Sequence, residues 1–344
     1  MIDILAHGFF LAADAALLFL LRKRPKPVVF ASLLAAGGLL AVFAAPIFGG
    51  GLFGAMRVLA WAIFVHGVIV LAGGAILLWK PCRKVAIPTA IAALLTAAVG
   101  IDAFFIEPHW LEVTRYRIVS AKVKRPLKIA VIADIQTDVI GDYERRALKA
   151  AADEKADIVL FAGDYIQEHD DTRRRELNRE LRAILKDCGF KGAVAVEGNC
   201  DYEGWPDIFE GTEVTWTRET RTINEADVQI TALSLTDSEY SLPLKPTERF
   251  HIVVGHRPDF ALGDVQADLL VAGHTHGGQV RLPLIGPLIT LSKVPRSWAA
   301  GLTELPGDRT LIVSRGVGME RGPAPRLRFL CRPELVIVDL VPSK

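Results

Sequence analysis

Two histidines, His274 and His276, stand two residues apart in Val271-Ala272-Gly273-His274-Thr275-His276-Gly277-Gly278-Gln279. The mainly apolar run before them, Ala267–Val271, reads as a buried β-strand. The pair therefore falls in the loop at its C-terminal end, where open α/β sheets place their ligands. Neutral imidazole is the commonest transition-metal ligand, and the flanking glycines let backbone approach an ion or a phosphate closely. By itself the pattern is weak evidence.

Four further strand ends carry the argument. Leu127–Ala133 ends in Asp134-Ile135-Gln136 and Ile158–Ala162 in Gly163-Asp164. Ala193–Val196 ends in Glu197-Gly198-Asn199-Cys200-Asp201, and His251–Val254 in Gly255-His256. Strand ends at one edge of a sheet converge, so Asp134, Gln136, Asp164, Asn199, His256, His274 and His276 can share one site. The set is rich in oxygen and nitrogen donors and poor in sulfur, which suits Mn²⁺, Fe or Zn²⁺. Asp164 can bridge two ions about 3.5–4 Å apart, the arrangement that two-metal hydrolases use at phosphorus.

The elements that position these loops alternate strand and helix. Tyr143–Ala152 reads as a helix. Thr172–Lys186 reads as a second, with Leu177, Leu181 and Leu185 on one face and a stop at Cys188-Gly189. Val228–Leu235, Thr310–Val313 and Leu335–Leu340 complete the strands. The expectation is an α/β domain over residues 127–344, reached through a connector at 107–126.

Residues 1–106 differ in kind. Of the 344 residues 51% are hydrophobic, and the apolar ones crowd this part while charge gathers after it. Runs near Ile4–Leu21, Val28–Ile47, Leu52–Trp79 and Ala86–Ile106 are each long enough to span a bilayer, which takes ~20 residues. Basic residues cluster after the first run (Arg22, Lys23, Arg24, Lys26) and the third (Lys80, Arg83, Lys84). By the positive-inside rule both connections face the cytoplasm, which puts the C-terminal domain outside. Arg115, Arg117 and Lys122 argue mildly the other way. Ionisable residues within spans are expensive and usually paired. Asp14 is expected to meet His66, and Arg57 to meet Asp102, and a proton or substrate path is the sharper alternative for such groups. The net charge of +1 gives no sign of a nucleic-acid partner, and Cys82, Cys188, Cys200 and Cys331 form neither a disulfide framework nor a zinc ribbon.

In order, the five loops resemble the D-x-H, G-D, G-N-H-D, G-H and G-H-x-H motifs of the calcineurin-like metallophosphoesterase superfamily. The resemblance spans roughly Glu107 to Leu340. The lead Glu107-Pro108-His109-Trp110-Leu111-Glu112-Val113-Thr114 and the tail segments Ser314–Gly318 and Cys331–Glu334 are similar to a bacterial membrane-associated phosphodiesterase branch. The family fold this implies is a four-layer α-β-β-α sandwich, here preceded by a four-helix transmembrane region in a bacterial plasma membrane. The resemblance also implies two divalent ions. Asp134, Gln136, Asp164 and His276 would hold one and Asp164, Asn199, His256 and His274 the other, with a bridging hydroxide attacking phosphorus.

Two positions depart from the motifs. Gln136 stands where D-x-H has histidine, and a neutral amide is the poorer donor. Cys200 stands where G-N-H-D has the histidine that orients substrate and helps protonate the leaving group, and a thiol is a poor replacement. Asp201 keeps its place without that partner. The expected function is a membrane-anchored phosphoesterase acting on phosphodiesters or lipid-linked phosphates beside membrane lipids, with Cys200 and Asp201 as the acid–base positions. A catalytically weak metal- and phosphate-binding sensor or scaffold is the alternative, and a four-helix transporter with an accessory domain a distant third.

Overall fold

The computed structural model describes residues 2–225, 227–240 and 242–343. The chain forms two compact units, Met1–Ile106 with Gly322–Arg326, and Glu107–Arg321 with Leu327–Lys344.

The first unit contains four helices long and apolar enough to cross a membrane. These are α1 (Ile2–Lys23), α2 (Pro27–Gly49), the stretch Leu52–Leu78, and Arg83–His109. In the third, α3 (Leu52–Trp61) and α4 (Val68–Leu78) are joined by a π-helical turn, Ala62–Gly67, which holds His66. The fourth begins as α5 (Arg83–Ile101) and continues through a π-helical turn at Asp102–Ile106.

His66 Nδ1 lies 2.7 Å from Asp14 Oδ2, and its Nε2 lies 3.1 Å from His7 Nδ1. The expected Asp14–His66 pair therefore forms. The expected Arg57–Asp102 pair does not, because Arg57 Nη2 donates to Asp3 Oδ1 at 2.9 Å. Sequence position gives a residue's depth along a helix but not the rotation that turns it toward one neighbour. Arg57 faces α1 and also lies over the Trp61 ring.

In the second unit, two six-stranded sheets face each other. The first contains β1 (Glu112–Ser120), β2 (Leu127–Ile132), β3 (Ile158–Phe161), β4 (Ala193–Val196), β5 (Val214–Thr217) and β14 (Glu334–Pro342), in the order β1-β14-β2-β3-β4-β5. The second contains β6 (Arg221–Glu225), β7 (Val228–Ala232), β8 (Phe250–Val254), β9 (Leu269–Ala272), β12 (Gly301–Leu305) and β13 (Arg309–Val313), in the order β12-β13-β9-β8-β7-β6. A small hairpin, β10 (Arg281–Leu282) and β11 (Gly286–Pro287), stands apart from both.

β2, β3 and β4 are buried on both faces, which explains their nearly unbroken apolar sequence. Ile129, Val131, Leu160 and Val194 meet Ile230, Ile252, Val254 and Val271 between the sheets. The other face of the first sheet is covered by α6 (Asp142–Asp153) and α7 (Asp171–Cys188). Asp170 caps α7 by accepting from the Arg173 amide, and Gly189 ends it in the left-handed conformation. Among the described residues, the far side of the second sheet carries α8 (Leu235–Tyr240) and short turns such as Pro258–Leu262, with Phe260 in the core beneath. The four-layer order holds, with a thin fourth layer.

One part of the sequence reading changes. Residues 112–120, taken as part of a connector, form β1 and pair in parallel with β14 along its whole length.

Candidate metal centre

β2, β3 and β4 run parallel in one sheet, β8 and β9 in the other, so their C-terminal loops meet at one end of the sandwich. Asp134, Asp164 and His256, each from a different loop, present ligand atoms all within 4.8 Å of one another. The loops are tightly folded. Asp134, Gln136, Asp164, His274 and His276 all take positive φ, at 49°, 35°, 55°, 70° and 48°. Such backbone costs of order 1–3 kcal/mol per residue and gathers at functional sites. Gly198 and Gly318 permit close contacts, since a Cβ would lie 2.1 Å from Asp164 Oδ1 at the first and 2.0 Å from the Ile135 carbonyl at the second.

His256 is oriented as metal ligands commonly are. Its Nδ1 donates to the Ala162 carbonyl at 2.8 Å, which leaves Nε2 pointing at Asn199 Oδ1 (2.9 Å) and Asp164 Oδ2 (3.4 Å). The His274 amide donates to Asp134 Oδ1 at 2.9 Å, and the His274 ring lies 5.0 Å from that of His256.

Gln136 and His276 complete the picture by what they lack. Gln136 Oε1 and both ring nitrogens of His276 are buried without a hydrogen-bond partner. Burying an unpaired polar atom costs about 1–3 kcal/mol, so these atoms call for a ligand. The Gln136 amide nitrogen, in contrast, is held by Gln167 Oε1 (3.0 Å), Glu320 Oε2 (3.1 Å) and Cys200 Sγ (3.2 Å). All three accept, so Oε1 must be the atom turned away from them. Gln167 is fixed in turn, because its Oε1 accepts from the Arg321 amide and its Nε2 donates to Glu320.

The electrostatics agree. Burial lifts the Asp134 carboxyl to about 7, with Asp164 adding to the rise and His256 opposing it. Burial would lift Asp164 too, but His256 and the Cys200 amide hold it below the usual carboxylate range. His256 is raised to about 9 despite its burial, because Asp164 and Asp134 face it. His274 drops to about 4 through burial and the nearby charge of His256. Burial, with Arg328 behind it, pushes His276 well below its ordinary value. Buried carboxylates that face an imidazole, with two further imidazoles whose neutral form is favoured and an unpartnered amide oxygen, match the donor set of a cation site.

The surroundings of Cys200 and Asp201 add contacts that their motif position does not show. Burial and the charge of Asp164 push the Cys200 thiol up, so it stays protonated and is no thiolate nucleophile. Asp201 accepts from the amides of Asp164 (2.9 Å), Gly198 (2.7 Å) and Tyr165 (2.8 Å). It ties the loops after β3 and β4 together. Gln167 and Glu320 carry no motif signal in the sequence, and neither does Arg328, whose buried guanidinium binds the carbonyls of Arg315, Gly318 and Cys331.

A two-sheet α/β sandwich with buried carboxylates and imidazoles gathered at its strand ends is the architecture of a metallohydrolase. Residues 127–278 match the family model for calcineurin-like phosphoesterases. The chain is 29% identical over 275 residues to the uncharacterized metallophosphoesterase YkuE of Bacillus subtilis, covering 72% of this chain and 92% of that one. It is 28% identical over 280 residues to the phosphodiesterase YaeI of Escherichia coli, covering 73% and 97%. A dimetal phosphatase from Danio rerio aligns with a TM-score of 0.36 at 14% identity, covering 58% of this chain and 90% of that one. Residues 127–278 therefore form a calcineurin-like phosphoesterase domain, the family of hydrolases that act on phosphoric esters.

Proposed function

We propose that this protein is a membrane-anchored phosphoesterase whose substrates are phosphodiesters or lipid-linked phosphates. The observation that carries the reading is the set of unpartnered ligand atoms on Gln136 and His276 beside the Asp134–Asp164–His256 cluster. Asp134, Gln136, Asp164 and His276 would hold one divalent ion, and Asp164, Asn199, His256 and His274 the other. The donors suit Mn²⁺ first, with Fe and Zn²⁺ as alternatives. When bound, the ions supply Lewis acidity toward phosphoryl oxygens and make water nucleophilic near neutral pH. The protein's own groups do the rest. Asp201 keeps Asp164 and the Asn199 loop in register, and Gln167 and Glu320 aim the Gln136 carbonyl. Cys200 leaves the leaving-group side without an imidazole. That last feature favours the second reading, a metal- and phosphate-binding sensor of little activity. Turnover of bis-p-nitrophenyl phosphate with Mn²⁺, lost in an Asp164→Asn chain, distinguishes the two, because a sensor would bind Mn²⁺ and phosphate without turnover.

Glu320 offers a test of the ligand assignment that does not read activity. In Glu320→Gln the new amide can donate as well as accept, which frees Gln136 to turn. Loss of a group that orients a ligand typically costs 10–100-fold in metal affinity. Calorimetric titration of Mn²⁺ should show one of two sites weakened about tenfold. In a Gln136→His background the same change should matter little. Equal weakening in both backgrounds would rule out the amide-orienting role.

The basic connections after α1 and α4 support a domain outside the cytoplasm. A reporter active only outside should work when fused after Lys344 and stay silent within Arg22–Lys26. The reverse pattern would move the domain inside and make cytosolic phosphodiesters the better substrates.

A further inference from the structure

The hairpin β10–β11 and the segment after it are unlike the rest of the second unit's surface. Leu284 at its tip is fully exposed, and Ile285, Leu288 and Leu291 expose 59%, 42% and 50%. Four large aliphatic side chains within eight residues are thus turned toward solvent. Single exposed leucines need no explanation, but patches of this kind mark binding surfaces. The backbone adds a second observation. Leu284 and Leu291 take positive φ, 67° and 52°, a region where bulky side chains are rare and where turns normally place Gly or Asn. Strained backbone that holds leucines out in water is not a solution reached for stability.

The hairpin is built into the metal centre. A Cβ on Gly278, in the histidine loop, would lie 2.4 Å from Pro287 Cβ, and the Leu291 carbonyl lies 3.2 Å from His274 Nε2. Its base is also tied to the point where the chain leaves the fourth long helix. The Arg281 amide donates to Phe329 O at 2.9 Å, and the next residue, Leu330, donates its amide to the Glu107 carboxylate at 2.8 Å. Cys331 N donates to the same carboxylate. Glu107 is the first residue after the π-helical turn that ends at Ile106. Leu330 and Trp110 are themselves half exposed, and the Arg332 guanidinium covers the Trp110 ring at 3.7 Å. An exposed Trp beside a cation is the side-chain pairing of a bilayer interface.

We infer that the 281–291 hairpin is a lipid-facing element that enters the bilayer interface and brings the phosphate ester of an amphiphile to the metal centre. The occupant is a lipid surface, because the base of the hairpin is hydrogen-bonded, through Phe329 and Leu330, to the segment that directly follows the apolar stretch of a helix long enough to cross a membrane. Exposed basic residues, Lys293 and Arg296, follow the apolar segment as lipid phosphates would require. The substrate class rests on the phosphoesterase reading, whereas the lipid contact is tested without catalysis.

The experiment uses the full chain in nanodiscs of phosphatidylcholine and phosphatidylglycerol. p-Benzoylphenylalanine replaces Leu284 in one sample and Glu210, an exposed residue before β5, in another. After irradiation, mass spectrometry should find at least tenfold more phospholipid adduct at 284 than at 210. With the probe at Ile285, a further Leu284→Glu change should cut the adduct at least fivefold. Equal adduct at 284 and 210, or crosslinks at 284 mainly to a second copy of the chain, would overturn the inference. If instead the adduct forms while no ester is hydrolysed, the lipid contact stands and the phosphoesterase reading fails.

Discussion

Replacing Asp164 with Asn should lower kcat/KM for bis-p-nitrophenyl phosphate at least 10³-fold, a barrier increase of about 4 kcal/mol. Asp164 occupies the centre of the cluster. Its Oδ1 accepts from the Cys200 amide at 2.7 Å, and its Oδ2 faces His256 Nε2. The substitution is isosteric, so the loop contact to Cys200 survives through the amide oxygen. What changes is charge, since the other side-chain atom becomes a donor pointed at the group that needs an acceptor. Bound Mn²⁺, measured by elemental analysis after gel filtration, should fall from two ions per chain to one or none. Circular dichroism should remain native. Two bound ions together with more than a tenth of native turnover would remove Asp164 from the bridging position.

The second large effect is a gain. Cys200→His restores an imidazole on the leaving-group side, and general acid catalysis contributes about 10²–10⁴-fold, or about 3–5 kcal/mol. How much of that appears depends on the leaving group. p-Nitrophenolate departs without a proton, whereas an alkoxide from glycerol or a sugar does not. The variant should therefore speed alkyl phosphodiester cleavage by at least 10²-fold and aryl cleavage far less. Metal content should not change, because Gln136 loses Cys200 as an acceptor but keeps Gln167 and Glu320. A flat alkyl rate would show that the native site already has its proton donor. His109 and His169 are poorly placed for that role, one edge-on to Tyr143 and the other exposed before α7.

The strand ends were legible because they obey local rules. A run of Val, Ile and Leu followed by Gly and a polar residue marks both the strand and the place where it stops, and parallel order brings the stops together. Contacts set by distant partners left no such mark. β1 alternates apolar and polar residues like any amphipathic segment, and its identity as a strand comes from β14, more than two hundred residues later. Gln136 looked like a weakened ligand in isolation. Its amide is aimed by Gln167 and Glu320, which lie 31 and 184 residues away and belong to no motif. Asp201 was assigned by motif position to acid–base chemistry, yet its oxygens are engaged by three backbone amides. The Arg57 partner was missed for the geometric reason that depth in a membrane does not fix azimuth.

The place of β14 between β1 and β2 also governs how the chain is made. The first sheet cannot close until β14, made more than two hundred residues after β1, arrives, because β1 is hydrogen-bonded to β14 and not to β2. During synthesis both earlier strands therefore present open edges, the feature most prone to pairing with other chains. A chain that stopped short at Glu334 would retain Asp134, Asp164 and His256 and still lack the strand that joins its first strand to the rest.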